Sequence, residues 1–267
     1  MSLVANARMY AAGPETAAAW AALFGRIAAR SGVPLAVIAH AAPAPLEELW
    51  SRSDLGLAFI CGYPFAQGGF PVRPVAAPVP LSGDGRPLYA TRLMVRADSG
   101  IADLRDSFGT RLGWTVSHSQ SGFNALRTHL LPHRQPGAPL YAESIGPLLT
   151  PRRVVAALLA GEIDIGPLDS YFHDLLLAEE PETASRLRVV DVTAARPMPL
   201  LVASRTVDDA TVAALRSALL SAAEDEIASE CLRRLRLSGF AEAVPASYDI
   251  LLREAEAAEA AGYRQPG

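Results

Sequence analysis

The sequence predicts an α/β protein in two lobes, and three observations carry that prediction. Short apolar runs alternate with longer amphipathic segments through most of the chain, the pattern of strands and helices in largely parallel sheets. A Pro-rich stretch from Pro71 to Pro87 interrupts the series. The alternation then restarts, and a second Pro-containing segment, Ala194-Ala195-Arg196-Pro197-Met198-Pro199, returns the chain to one more strand followed by helices.

The elements follow in order. Leu3 to Met9 reads as a strand, Glu15 to Arg30 as a helix, Leu35 to Ala39 as a strand, Pro45 to Arg52 as a short helix and Leu55 to Ile60 as a strand, which is one βαβαβ half. The Pro-rich stretch ends in the turn Ser82-Gly83-Asp84-Gly85 and leads into a strand from Tyr89 to Val95, where the chain is expected to cross between lobes. A second series follows: strands at Arg111–Val116, Leu140–Glu143 and Ile163–Ile165, with helices from Ser119, from Pro151 to Ala160 and from Asp169 to Leu177. Leu187–Val192 and Leu200–Ala203 are the last expected strands, with only helices beyond. This gives lobe 1 as residues 1–88 plus 200–267, including a helical tail, and lobe 2 as residues 89–199, with two crossing segments and a ligand cleft between the lobes.

Composition narrows the function. The chain has 267 residues, enough for a sizeable core, and no apolar run approaches the roughly 20 residues of a membrane span. A net charge of −4 without a long basic run argues against a nucleic-acid partner. All 24 basic residues counted as Lys+Arg are Arg, which excludes Schiff-base chemistry and a Walker-type phosphate loop. Cys61 and Cys231 suggest no metal site by type or spacing, and either a disulfide or two buried thiols accommodates them. No cofactor motif is found. The amino terminus lacks a leader pattern, so the expectations are a leader already removed or a cytoplasmic home.

The most informative stretch is Ser117-His118-Ser119-Gln120-Ser121-Gly122-Phe123-Asn124-Ala125-Leu126-Arg127. It reads as a strand end, a hydroxyl-rich turn and the first turn of a helix whose apolar residues Phe123, Leu126, Leu130 and Leu131 share a face. The first N–H groups of a helix lack internal partners and carry the positive end of its dipole, so with nearby hydroxyls they form a seat for an anion. The same residues also serve as an ordinary N-cap. Pro167-Leu168-Asp169-Ser170-Tyr171 and Cys61-Gly62-Tyr63-Pro64 likewise follow strands, where open α/β sheets place ligands.

Four blocks then carry a family resemblance: Asn6-Ala7-Arg8-Met9-Tyr10; Leu49-Trp50 with Leu55 through Pro64; Ser119-Gln120-Ser121-Gly122 with Asn124-Ala125-Leu126-Arg127; and Gly161-Glu162-Ile163-Asp164-Ile165-Gly166 with Asp169-Ser170-Tyr171. With them the chain resembles the phosphate/phosphonate-type solute-binding proteins of ABC transporters, in the PhnD/SsuA/transferrin-like superfamily. The resemblance implies a type II periplasmic-binding-protein fold that closes on its ligand by hinge bending, with no chemistry of its own. Ser119, Gln120, Ser121 and the amides near Gly122 would bind oxyanion oxygens. Asp169 with Ser170 would meet a ligand amine or protonated oxygen, Tyr89 would lie beside the first crossing, and Tyr10 and Tyr63 would line the opposite wall. An Asp that opens a helix is equally an N-cap, and tyrosines at lobe edges are commonly half-buried with no ligand.

One departure stands out. Many relatives carry a Ser-His pair where this chain has Thr150-Pro151-Arg152-Arg153. Thr150 and Arg152 therefore enter as candidates, with Arg92 as another guanidinium able to replace the lost donor and His118 as a neighbour of the turn. The leading expectation is a monomeric periplasmic binding protein that delivers a small anionic or zwitterionic solute to a membrane permease. A cytoplasmic ligand sensor, or an enzyme using Cys61, His118 and His173, is the alternative on the same fold.

Overall fold

In the computed structural model, which describes residues 2–134 and 137–267, the chain forms two compact units. One comprises Met1–Leu88 with Pro197–Tyr248, the other Tyr89–Arg196 with Asp249–Gly267. In chain order the elements begin with β1 (Leu3–Asn6), α1 (Pro14–Ser31), β2 (Leu35–Val37), α2 (Leu46–Trp50), β3 (Leu55–Ile60), α3 (Gly62–Gln67) and β4 (Val72–Pro80). Next come β5 (Leu88–Tyr89), β6 (Thr91–Arg96), β7 (Arg111–Gly113), α4 (Ala125–Leu130), β8 (Glu143–Ile145), α5 (Pro151–Leu159), β9 (Gly166–Asp169), α6 (Ser170–Glu179), α7 (Pro181–Ser185) and β10 (Leu187–Val192). The chain ends with β11 (Arg196–Pro197), β12 (Leu200–Ser204), α8 (Asp209–Leu220), α9 (Glu226–Arg234), β13 (Leu237–Ala241) and α10 (Asp249–Ala260).

The first unit is organised by β3, an apolar run buried at every position. Its sheet has the order β13-β4-β12-β3-β1-β2. β1 runs parallel to β2 and β3, whereas β12 runs antiparallel to β3 and β4. Across the sheet lies α1, which buries Trp20, Leu23, Phe24 and Ile27 at the three- and four-residue spacing of one helix face. Tyr10 and Phe59 meet edge to face at 4.9 Å in this core, and Trp20 meets Phe59 at 5.1 Å.

Two sequence expectations fail here. The Pro71–Pro87 stretch is not only a crossing, because it contains β4, a nine-residue strand paired on both sides. Prolines cannot donate to a ladder, and β4 accommodates Pro74, Pro78 and Pro80 with register shifts against both β12 and β13. The chain beyond Ala203 is not all helical either, since β13 pairs with β4.

In the second unit β6 is the middle of an antiparallel sheet of order β10-β6-β9, and β7 and β8 form a parallel pair. Leu112 of β7 bridges to Ile165, just before β9. Several strands are displaced from their expected positions: Leu140–Glu143 becomes Glu143–Ile145, and Ile163–Ile165 becomes Gly166–Asp169 despite Pro167. The expected strand Arg111–Val116 stops at Gly113, because the following residues leave the ladder to form the turn described below.

The final helix is also placed differently. Residues 249–267 were expected with the first lobe, yet they belong to the second unit. α10 packs on α4, Tyr263 enters the core with Leu93, Leu112, Leu126 and Leu130, and Glu254 receives a forked pair of hydrogen bonds from Arg196. An amphipathic helix announces a buried face without saying which surface will cover it.

Candidate functional site

After β7 the chain turns at Val116–Ser119 and enters a short π-helical turn, Gln120–Asn124, that continues directly into α4. Ser119 is the cap: its hydroxyl accepts from Gly122 N–H at 3.0 Å and its carbonyl from Asn124 N–H at 3.1 Å. The wide turn follows from that last bond, which spans five residues rather than four. Behind it Thr115 N–H donates to the Gly122 carbonyl at 3.1 Å. A Cβ on Gly122 would lie 1.9 Å from Thr115 Oγ1, so the close approach of strand end and turn requires glycine.

Side chains from elsewhere in the unit fix this turn. Thr91, at the start of β6, donates its hydroxyl to the Ser121 carbonyl at 3.0 Å. Asn124 donates its amide to the Ser119 carbonyl at 3.3 Å, and Arg127 in turn donates to Asn124 Oδ1. The Arg127 guanidinium is buried at 3% exposure and also donates to the Tyr263 carbonyl at 3.2 Å. Thr91, Asn124 and Arg127 were not singled out as functional by their types. Only the fold brings Thr91 and Tyr263 to the turn.

The second expected cluster lies alongside. Thr91 is the register partner of Asp169 in the β6–β9 pair, so the two helix starts at Gln120 and Ser170 flank one strand end. Asp169, 6% exposed, caps α6 by accepting from Tyr171 N–H at 2.9 Å and Phe172 N–H at 3.0 Å. Ser170 ties the cap to β6: its hydroxyl accepts from Ala90 N–H at 3.1 Å while its own N–H donates to the Ala90 carbonyl. Both residues thus hold structural roles at the place where the sequence expected them.

Donor and acceptor capacity at the turn is unevenly used. Amides of Gln120 and Ser121 open the helical turn, and the half-buried Ser121 hydroxyl stands beside them. Gln120 is 1% exposed, and among the described residues neither its Oε1 nor Thr115 Oγ1 has a hydrogen-bond partner. A buried polar atom without a partner is costly, so both atoms weigh on the stability of the turn. Leu149 adds a backbone signal nearby: it holds a left-handed φ of 65° at 49% exposure, with its N–H directed to the Thr115 carbonyl at 3.4 Å.

The guanidinium candidates are engaged elsewhere. Arg152 pairs with Glu180, and Thr150 caps α5 by accepting from Arg153 N–H at 3.1 Å. Arg92 donates to Asp174 Oδ1 at 2.7 Å and to His173 Nδ1 at 2.8 Å. Burial, reinforced by the Arg92 charge, pushes the His173 imidazole down to about 4, so it is a neutral acceptor at neutral pH. Tyr89 is buried at the first position of the unit.

The remaining candidates sit in the first unit. Tyr10 is a core residue at 1% exposure rather than a wall residue, for its ring packs on Phe59. Tyr63 is half-buried in the first turn of α3, after β3, and its hydroxyl accepts from Gln67 at 3.2 Å. Cys61 and Cys231 are buried thiols, which resolves the disulfide alternative, and burial pushes the Cys231 thiol up. Among the described residues no group of three or more His, Cys, Asp or Glu could hold a metal ion.

Comparison with known proteins adds an independent line. A family model for the periplasmic substrate-binding protein of phosphonate ABC transporters matches residues 10–248. No curated protein matches the sequence. Among solved structures, a binding protein component of an ABC phosphonate transporter from Pseudomonas aeruginosa superposes with TM-score 0.81 at 15% identity, covering 97% of this chain and 87% of that one. PhnD1 from Prochlorococcus marinus, in complex with methylphosphonate, gives TM-score 0.78 at 14% identity and covers 97% and 98%. A protein from Xanthomonas citri bound to ATP gives 0.66 at 20% identity, with the same coverage. At these identities the likeness establishes the fold.

Proposed function

The chain belongs to the family of periplasmic substrate-binding proteins of phosphonate ABC transporters, and from that premise we propose that its Ser119–Gly122 turn seats the oxyanion of a small phosphonate-like solute. As a family member it is the solute-binding component of an ABC-type transporter, and no helix among the described residues is long and apolar enough to cross a membrane. Its task is capture and delivery to a permease, with no bond made or broken in the ligand.

The observation that carries the reading is the Ser119 cap. It fixes a turn whose opening amides, at Gln120 and Ser121, are those that a helix leaves without an internal partner, and Thr91 and Asn124 hold that turn in shape. Preformed donors cost little ordering on binding. Two structural neighbours, one holding methylphosphonate and the other ATP, carry ligands with tetrahedral phosphorus oxyanions, which makes methylphosphonate the first probe.

Isothermal titration of the protein with methylphosphonate, phosphate and methanesulfonate tests the proposal. Wild type is expected to bind at least one of them, and Ser121→Ala to weaken that binding by about tenfold, the loss of one hydrogen bond to a charged group. If the three anions neither bind nor raise the melting temperature, the reading fails. A mutant that binds as well as wild type removes the turn from the site.

A further inference from the structure

Beyond α10 the chain runs on as residues 261–267, and this short segment is fastened to the second unit at several points. Arg134 donates to the Ala261 carbonyl at 3.1 Å and covers the Tyr263 ring at 4.4 Å. Tyr263 is 3% exposed, and its hydroxyl accepts from Gly267 N–H at 2.9 Å, which folds the segment back on itself. Ser144, in β8, takes the other side: its hydroxyl donates to the Pro266 carbonyl and accepts from the Gln265 amide at 3.0 Å. A Cβ on Gly267 would lie 2.7 Å from Ser144 Cβ, so the segment closes tightly on β8. A segment of this kind, with no helix or strand of its own, stays ordered only where it is tied down.

The same segment reaches the candidate binding turn through one buried guanidinium. Arg127 Nη1 donates to the Tyr263 carbonyl at 3.2 Å, and a Glu259 carboxylate oxygen, in the last turn of α10, stands 3.9 Å from that nitrogen. Arg127 Nη2 donates to Asn124 Oδ1, and the Asn124 side-chain amide donates to the Ser119 carbonyl at 3.3 Å. That carbonyl also receives Asn124 N–H at 3.1 Å, the bond that gives the turn its width. A buried guanidinium that loses an acceptor must find another or move toward water. With the Tyr263 carbonyl withdrawn, Arg127 would do so at the expense of Asn124, and the Ser119 carbonyl would lose the side chain that holds it.

We propose that residues 261–267 are a strap that positions the turn for its ligand, with Tyr263 as the positioning residue, so that fastening at Ser144 raises affinity at the turn. An unfastened strap lowers the fraction of molecules whose turn is ready to bind, and apparent affinity falls with that fraction. This rests on the reading of the turn as an oxyanion seat and adds a control on it.

The test is the double mutant Ser144→Ala with Tyr263→Phe, which unfastens residues 265–267 and keeps the Tyr263 ring and carbonyl. Calorimetric titration with methylphosphonate, phosphate and methanesulfonate gives the affinity, and hydrogen exchange of the Asn124 amide gives the order of the turn. The double mutant is expected to bind whichever anion wild type binds about fivefold more weakly, the value of one hydrogen bond. Its Asn124 amide is expected to exchange faster by a similar factor, while the amides of the β6–β10 ladder keep wild-type protection. Gln265→Ala, at an exposed position, is expected to shift both readouts the same way and repeats the test without touching the core.

Unchanged affinity in the double mutant overturns the proposal and leaves the oxyanion seat standing. Weaker binding without faster exchange at Asn124 overturns it as well, because the strap would then act by another route. Protection lost equally at Asn124 and across the β6–β10 ladder assigns the effect to general unfolding, which also overturns it. If wild type binds none of the three anions, the seat and the strap fall together.

Discussion

Arg127 Nη2 lies 2.5 Å from Asn124 Oδ1, and this contact couples the segment after the last helix to the candidate binding turn. Asn124 passes the constraint on by donating to the Ser119 carbonyl, while Arg127 is fastened to the Tyr263 carbonyl. Tyr263 is itself a core residue, and Arg134 stacks over its ring at 4.4 Å. The turn is thereby fixed from both its own helix and a segment more than a hundred residues away in sequence.

Replacing Arg127 by Met keeps most of the buried stem but leaves Asn124 Oδ1 and the Tyr263 carbonyl without a donor. The expected cost is about 2 kcal/mol of stability by urea denaturation, together with weaker methylphosphonate binding. Arg127→Lys, which keeps the charge but not the fork, should fall between the two. Wild-type stability in Arg127→Met would show that the network does not hold the turn.

Gly122 makes a sharper prediction. The Cβ of an alanine there would stand 1.9 Å from Thr115 Oγ1 and 2.8 Å from Thr115 Cβ. Overpacking of this kind costs about 1–3 kcal/mol. Thr115→Ala removes the nearer atom, so the double mutant should recover part of the loss. A double-mutant cycle by chemical denaturation measures the coupling, and strict additivity would contradict the packing described.

These two residues also show where sequence reasoning stops. Ser119 was legible because a cap is local: serine, a short turn and a helical apolar face all lie within a dozen residues. β3 was legible because an apolar run of strand length is what a strand buried on both faces looks like. By contrast, β4 was hidden by prolines whose tolerance depends on bulges in the neighbouring strands. Tyr10 was read as a wall residue because the position of a strand end says nothing about the Phe59 ring packed against it. Nor did anything near Arg152 in sequence announce Glu180, twenty-eight positions away, as its partner.

His173 should make stability depend on pH. Its folded pKa of about 4 lies below the ordinary value of 6.5, chiefly through burial and then through the Arg92 charge. The unfolded chain therefore binds a proton that the folded one refuses between those values, so stability is fully present above about pH 6.5 and declines as pH falls toward 4. At pH ~4.5 the loss attributable to this residue should be of order 2 kcal/mol. Urea titrations at several pH values check it, with His173→Gln expected to flatten that part of the profile. An equally steep decline in the mutant would assign it to other groups.

Asp169 separates the two duties its position imposes. As the cap of α6 it accepts from two backbone N–H groups, and Asp169→Ala should cost about 1 kcal/mol of stability. Asp169→Asn keeps an oxygen for those bonds and removes the negative charge beside the turn. Its stability should stay near wild type while its affinity for methylphosphonate rises, because a carboxylate beside the turn opposes a bound anion. Calorimetric titration of both variants on either side of neutral pH distinguishes the contributions. If Asp169→Asn binds methylphosphonate as wild type does, the carboxylate does not act on the ligand's charge, and its role is confined to the helix start.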